Sequence, residues 1–331
     1  MDKYTPPFKI TYNILSHVAS ISEKIGHMAA VNNRETKPYL RRNKRIESIH
    51  SSLKIEANSL SLGQVKDIID GKVVLGERVE IQEVKNAFEA YKRINEIDPY
   101  SIEQLKYFHG IMTKYVIDES GEFRKGEEGV FAGDKCIFVA PPAKFVSQLM
   151  EELFEWMNDN KIQLHPLILS CVFHYEFVFI HPFTDGNGRM ARLWQSAILS
   201  KWNNVFEYIP IESQIEKFQD EYYDAIAICN REGESTKFIE FMLSLIDEIL
   251  DDTANQIAES QAIYNSEQVN RLMNVMEYNV PYTGQKLMEK LNLKSREGFR
   301  RNYLRPAIEE GLISMTVPDK PNSRNQRYVK R

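Results

Sequence analysis

Apolar residues recur at helical spacing over about 40–60, 80–97, 101–117, 144–158, 164–180, 186–202, 211–230 and 235–258, each stretch laying one stripe of side chains along a helix. Pro and Gly punctuate the intervals, so the pattern predicts a mainly α fold. Segment 164–180, LHPLILSCVFHYEFVFI, is apolar on nearly every side apart from His174 and Glu176, which places it at the centre of a bundle. It runs into His181-Pro182, where the proline ends the helix. One stretch breaks the rhythm. Residues 129–140 read as two short strands about Gly133-Asp134, a small β-hairpin closed by Pro141-Pro142.

Beyond about 260 the pattern changes. Helices at 265–277, Gly284–Leu291 and Ser295–Glu310 precede a strand pair, Leu312–Val317 and Arg327–Val329, joined by the polar loop 318–326. That order resembles a winged helix-turn-helix module. Three regions are therefore expected: 1–98, a helical region; 99–258, a core; and 259–331, the winged-helix-like module.

Charge sharpens this division. The 331 residues carry a net −5, yet Gly284–Arg331 holds 12 Lys or Arg against 5 Asp or Glu. The basic C-terminal module is thus a candidate for an anionic partner, DNA included. The overall composition, 43% hydrophobic and 27% charged, is that of a globular protein. No apolar run approaches the ~18 residues of a membrane helix, and Met1–Pro7 lacks a signal pattern, so a cytoplasmic location without a membrane partner is expected. Cys136, Cys171 and Cys229 are odd in number and widely spaced, which argues against a disulfide framework or a structural zinc site.

The chemistry concentrates in His181-Pro-Phe-Thr-Asp-Gly-Asn-Gly-Arg-Met-Ala-Arg192. This stretch reads as a loop opening a helix over 186–202, with Asp185 as its N-cap. Free N–H groups and the positive end of the dipole make a helix start an anion site. Gly186 and Gly188 let phosphate oxygens approach the backbone. Arg189 and Arg192, three residues apart, share a side of the helix and offer two guanidinium forks. Asp185 supplies a hard oxygen suited to Mg²⁺, and His181 is a base that titrates near neutrality. Each feature alone is commonplace. Base, metal ligand, phosphate nest and two arginines within twelve residues point to polyphosphate chemistry.

The stretch resembles the signature of the Fic family, HxFx[D/E]GNGRxxR, and matches every specified position. The similarity covers roughly 100–250 and reaches back to about 45. It implies a Fic-type helical bundle and transfer of AMP from ATP to a Ser, Thr or Tyr hydroxyl. By resemblance, His181 is the general base, and Phe183 packs in the core to hold the loop. Asp185 holds Mg²⁺, Asn187 orients the α-phosphate, and Gly186 and Gly188 give backbone donors. Arg189 binds the β-phosphate and Arg192 the γ-phosphate; Met190 and Ala191 complete the nucleotide-binding run. The hairpin at 129–140 corresponds to the family's flap, which pairs with an extended segment of the target. In Tyr222-Tyr223-Asp224-Ala225, Tyr223 resembles a residue lining the nucleotide pocket.

Upstream, Ser52 and Glu56 are i and i+4 and share a helix face. Ser52-Leu-Lys-Ile-Glu56-Ala57 resembles the family's inhibitory motif, [S/T]xxxE[G/N], except that Ala57 replaces Gly or Asn. The resemblance implies an inhibitory helix at about 44–60 whose Glu56 pairs with Arg192. The same glutamate can position a water for removal of AMP. Three other readings stay open: a DNA-binding regulator built on the C-terminal module, a Fic fold transferring another nucleotide or a phosphate, and an inactive scaffold. Homodimerisation is compatible with the sequence but is fixed by no residue pattern.

Overall fold

A computed structural model describes residues 4–31, 37–132, 135–264, 267–321 and 323–330. The chain divides into two compact units, Met1–Asp251 and Asp252–Arg331. The division falls at Asp251, inside a long helix, rather than at 258, and residues 1–98 belong to the same unit as the core.

The first unit contains α1 (Tyr12–Val31), α2 (Lys37–Ile55), α3 (Leu62–Ile69), α4 (Arg78–Lys92), α5 (Ile102–Met112), the strands β1 (Gly129–Ala132) and β2 (Lys135–Val139), α6 (Val146–Asn160), α7 (Pro166–Ile180), α8 (Asn187–Trp202), α9 (Ile211–Lys217) and α10 (Gln219–Glu232). Helix α11 (Thr236–Tyr264) crosses the division. The apolar helix α7 is the hub: His165 caps its N-terminus, Pro166 opens it, and α6 and α8 pack against it. Burial of Phe173 and Phe177 on α7 against Trp194 of α8 and Phe183 of the intervening loop anchors that loop.

Three local outcomes differ from the periodic reading. Helices α1 and α3 lie outside every predicted window. The window 211–230 is broken at Phe218 (φ −116°, ψ 44°) into α9 and α10. The window 40–60 ends early, because α2 stops at Ile55 in a tight cap. There the Asn58 N–H reaches the Leu53 carbonyl (3.1 Å), the Ala57 N–H reaches that of Lys54 (3.0 Å), and Ala57 has φ 65°. This is a Schellman turn with Ala57 in the left-handed position, which favours Gly or Asn. The Gly or Asn expected at the motif's last position thus has a backbone reason, and Ala57 adopts the same turn against its conformational preference. Ala57→Gly is expected to stabilise the protein by about 1 kcal/mol, raising Tm by about 2 °C, as measured by differential scanning calorimetry.

Strands β1 and β2 pair antiparallel, Gly129 opposite Val139 and Ala132 opposite Lys135, with an irregularity between Val130 and Phe131. The expected turn residues Gly133 and Asp134 lie outside the described residues, as does the side chain of Cys136. Cys171 and Cys229 are buried free thiols. Among the described residues no helix is long and apolar enough to cross a membrane.

The second unit runs α12 (Glu267–Val275), β3 (Pro281–Tyr282), α13 (Gly284–Lys290), α14 (Arg296–Phe299), a π-helical turn (Arg300–Leu304), α15 (Arg305–Glu309), β4 (Ile313–Met315) and β5 (Tyr328–Lys330). Its sheet has the order β3-β5-β4, antiparallel throughout, over a core that includes Leu272, Leu287, Phe299 and Ile313. Helix, strand, two helices and two strands follow one another in the order expected from the sequence, with β3 added. Strand β3 went unread because two residues carry no period.

Candidate active site

The site forms where α7 ends and α8 begins. His181 is the C-cap of α7 with φ 51°, a left-handed conformation uncommon for a residue with a side chain. Three backbone contacts hold it there. Its N–H donates to Phe177 O (3.0 Å), its carbonyl accepts from Arg124 Nε (2.7 Å), and Pro182 O accepts from the Arg124 N–H (2.9 Å). The His181 Nδ1 faces the Val178 carbonyl at 3.4 Å, which places the proton on Nδ1 and leaves Nε2 as an acceptor. Burial lowers the His181 pKa below its ordinary value, so the ring is a free base at neutral pH.

The loop to α8 is built around two residues of the motif. Phe183 is fully buried, stacked on His109 with centroids 3.6 Å apart. The Asn187 amide clasps Phe183 from both sides: Nδ2 donates to Phe183 O (2.7 Å) and Oδ1 accepts from its N–H (2.9 Å). In this structure Asn187 therefore shapes the loop, whereas the resemblance gave it a phosphate to orient. His109 was not singled out from the sequence. Its Nδ1 accepts from the Gly121 N–H (2.9 Å), so its Nε2 donates to Asp185 O (2.9 Å). Burial pushes its pKa down to about 4, so it acts as a neutral strut.

The N-cap of α8 is Gly186, not Asp185. Gly186 has φ 81° and no side chain caps the helix. A Cβ there would lie 3.0 Å from Thr113 Cγ2, so both conformation and space require glycine. Asp185 turns aside instead: its Oδ1 accepts from the Gly186 N–H (2.6 Å) and its Oδ2 from Arg189 Nη2 (2.8 Å). Burial would raise its pKa, but Arg189 outweighs that and holds the carboxyl below its usual range. The first satisfied N–H of the helix is that of Met190, bonded to Gly186 O (2.9 Å). The uncapped N–H groups of Asn187, Gly188 and Arg189 thus keep the α8 mouth suited to an anion.

Met190 and Ala191 are fully buried. Their side chains belong to the core, so any contact they make with a nucleotide runs through the backbone.

Arg189 and Arg192 are both buried and both held by carboxylates. Arg189 Nη1 donates to Glu83 Oε1 of α4 (2.7 Å), a partner the sequence did not disclose. Glu83 in turn accepts from Asn58 Nδ2 (2.9 Å). Arg192 grips the C-terminal end of α2 through three acceptors: Ser52 Oγ (3.0 Å), Ser52 O (2.8 Å) and Glu56 Oε1 (2.7 Å). The Ser52 carbonyl is available because the tight cap sends the Glu56 N–H to Leu53 O instead. Burial alone would lower the Arg192 pKa, and the Glu56 carboxylate more than reverses this. A Cβ on Gly188 would overlap Glu56 Oε1, so the glutamate lies directly against the first turn of α8. A carboxylate at the negative end of α2 is unfavourable by itself; the guanidinium and the positive end of α8 compensate for it.

Tyr222 is buried, its hydroxyl 2.9 Å from His174 Nε2. Tyr223 is half exposed; burial raises its pKa, and so does the nearby Glu56 carboxylate. Of the two, Tyr223 is the one accessible beside the Glu56–Arg192 pair.

Arg124 is a further residue that the sequence did not reveal. Besides His181 O, its guanidinium donates to the carbonyls of Gly126 (2.8 Å) and Pro141 (2.5 Å). It ties both ends of the hairpin segment to the His181 loop.

Comparison with known proteins agrees with this architecture. Residues 99–199 match the Fic/DOC family model, and residues 267–329 match the C-terminal domain of Fic-like "filamentation induced by cAMP" proteins. The chain is 30% identical over 215 residues to a protein adenylyltransferase Fic of Culex quinquefasciatus, covering 62% of this chain and 41% of that protein. It is 28% identical over 204 residues to protein adenylyltransferase fic-1 of Caenorhabditis elegans, covering 59% and 38%. The chain thus spans about two-fifths of the length of these relatives. The crystal structure of a Fic family protein from Desulfovibrio desulfuricans G20 superposes with a TM-score of 0.75 at 40% identity, covering 99% of this chain and 98% of that one. Fic-1 of C. elegans shares the fold at 23% identity, with a TM-score of 0.63 over 75% of this chain and 73% of that one. With its signature loop at the mouth of α8 and a relative matched along nearly the whole length of both chains, this protein belongs to the Fic family.

Proposed function

We propose that this chain is a protein adenylyltransferase. It moves AMP from ATP to a Ser, Thr or Tyr hydroxyl of a target protein or of itself, and Glu56 restrains it. The observation that carries the reading is the uncapped start of α8, which carries Arg189 and Arg192 and has Glu56 lying against its Gly188, the same carboxylate whose charge acts on both His181 and Arg192.

A triphosphate brings concentrated negative charge, and this mouth supplies fixed donors that need no reorganisation. The attacking hydroxyl loses its proton to His181 Nε2 as its oxygen bonds to the α-phosphorus. The bond from that phosphorus to the bridging oxygen breaks, and pyrophosphate leaves. Arg124 positions His181 by holding its carbonyl, and Asn187 and His109 keep the loop in shape.

Asp185 fits a Mg²⁺ ligand. Its side chain is 48% exposed, it is ionised, and Mg²⁺ commonly takes one protein carboxylate and fills its shell with phosphate and water oxygens. Bound there, the ion would neutralise phosphate charge. The two-stranded β1–β2 sheet has unpaired outer edges among the described residues, which suits strand addition by an extended target segment.

The restraint follows from competition. A carboxylate and a γ-phosphate cannot both own the Arg192 guanidinium without strong like-charge cost. A second reading, hydrolytic removal of AMP, draws on the same residue. Glu56 is 34% exposed, so one carboxylate oxygen can meet water at the site.

The reaction class is tested with ATP carrying label at either the α- or the γ-phosphate, incubated with the protein and a cell lysate. Label from the α-position is expected in protein and label from the γ-position is not, with a mass increment of one AMP. The reverse labelling would identify a phosphotransferase instead.

A further inference from the structure

The second unit contains a groove that the transfer reaction does not use. It lies between the helical run 296–309 and the hairpin formed by β4 and β5. Two adjoining cavities of about 710 and 590 Å³ make it up, sharing Arg296, Arg300, Leu304, Pro321 and Tyr328. Arg301 and Arg305 extend one end; Arg324 and Arg327 extend the other. Six arginines therefore line one groove, against the acidic Glu297 and Glu309. Arg305 is paired with Glu309 (2.7 Å). Among the described residues, Arg296, Arg301, Arg324 and Arg327 have no carboxylate partner.

A π-turn builds this arginine face. In a regular α-helix of roughly 100° per residue, positions 296 and 305 would point about 180° apart. The turn at Arg300–Leu304 is π-helical, with the Arg305 N–H bonded to Arg300 O. Pro306 supplies the physical reason: it has no N–H, and its ring crowds the carbonyl four residues back. The helix widens ahead of it, and Arg296 and Arg305 line the same cavity. Tyr303 and Ala307 are buried in the core away from the groove, and Phe299 and Leu304 are buried where the core meets it, so the helix is fixed in rotation.

Among the described residues, the base of the hairpin is held by internal hydrogen bonds. Gln326 is buried and its Oε1 accepts from the Val317 N–H (3.2 Å), while the Thr316 N–H donates to Arg327 O (3.0 Å). Arg324 and Arg327 are thus presented on a held loop rather than a free one.

We infer that this groove binds duplex nucleic acid, with the helical run 296–309 placed in the major groove and the hairpin arginines on the flanking phosphates. The major groove admits one α-helix, guanidinium forks suit phosphate oxygens and guanine edges, and a helix beside a wing is an arrangement that docks this way. The excess of 12 basic over 5 acidic residues in Gly284–Arg331 stands out in a chain whose net charge is −5, so the attraction is local to this face.

The test uses the full chain and a fluorescent 30-base-pair DNA duplex, read by anisotropy. Four arginines without carboxylate partners predict a log–log salt slope near −3.6, hence roughly a hundredfold loss of affinity between 50 and 200 mM salt. Arg296→Ala with Arg301→Ala should flatten the slope by about 1.8, and Arg324→Ala by a further ~0.9. Removing two exposed lysines of the first unit, Lys161→Ala with Lys237→Ala, should leave binding unchanged. Labelling from ATP should be the same in all these variants, which separates this site from the transfer site. No binding at 50 mM salt overturns the inference. So does equal weakening by the lysine pair, which would mean diffuse charge attraction. Binding of a polyglutamate peptide of matched charge as tightly as the duplex also overturns it, assigning the groove to an acidic protein.

Discussion

Glu56→Gly should raise the initial rate of AMP incorporation from ATP by about 10- to 100-fold. The magnitude follows from the contact removed, a charge-assisted hydrogen bond of about 1.5–3 kcal/mol, with each 1.4 kcal/mol worth about a factor of ten. Arg192 keeps its two bonds to Ser52, so the guanidinium stays in place while its outward valence opens to a γ-phosphate. Glycine also frees the space against Gly188 that the carboxylate fills. The measurement is incorporation of α-labelled ATP at matched protein concentration, with thermal melts to verify folding. Unchanged labelling by a folded variant that binds ATP would remove the restraint and leave the Glu56–Arg192 contact as a purely structural pair.

His181→Ala, made in the Glu56→Gly background so that activity is high enough to follow, should lower kcat about 10²- to 10⁴-fold, the usual contribution of a general base. ATP affinity should change far less, because the phosphate donors come from α8 and its arginines. The pH profile carries an independent signature. Burial depresses the His181 pKa, and in the proposed reaction the neutral ring is the active form. The rate should therefore rise with pH through a value below the ordinary histidine range and be flat at neutrality. A rate that falls as pH rises through that range would mean the imidazolium is the working species, and the base assignment would fail.

Much of this site is legible in the letters because its chemistry is local. Twelve consecutive residues contain the candidate base, the metal-ligand candidate, the glycines and both arginines, and an apolar helix leads into them. What the letters misplace is also local, and it has a common cause. Asp185 has the composition of an N-cap, yet Arg189 one turn later competes for its carboxylate, and Gly186 takes the cap position in a left-handed conformation. Asn187 looks like a ligand-facing amide, yet the nearest unpaired groups are the N–H and C=O of Phe183, and it satisfies both. Met190 and Ala191 fall inside the motif but on the core side of the helix.

Other residues could not be found by spacing at all. Arg124 and Glu83 are single charged residues in ordinary surroundings. Their roles exist only because the chain brings the hairpin segment and α4 against the α7–α8 corner. His109 is unremarkable in sequence and becomes a neutral strut only when Gly121 and Asp185 close around it. The π-turn lies just ahead of Pro306, which is visible, but that the helix widens there rather than breaks, with Phe299, Tyr303 and Ala307 buried in the core, is seen only in the fold.

By itself the sequence determined the helical class, the central apolar helix, the hairpin, the basic C-terminal module and which residue types gather at the α8 mouth. Each of these rests on periodicity or on neighbours within a few turns. Only the tertiary structure decided which carboxylate each buried guanidinium holds, which side chains cap or clasp the loop, and which arginines share a groove. Those outcomes depend on partners tens to hundreds of residues away, where burial removes water as the alternative partner and geometry selects among the remaining donors and acceptors.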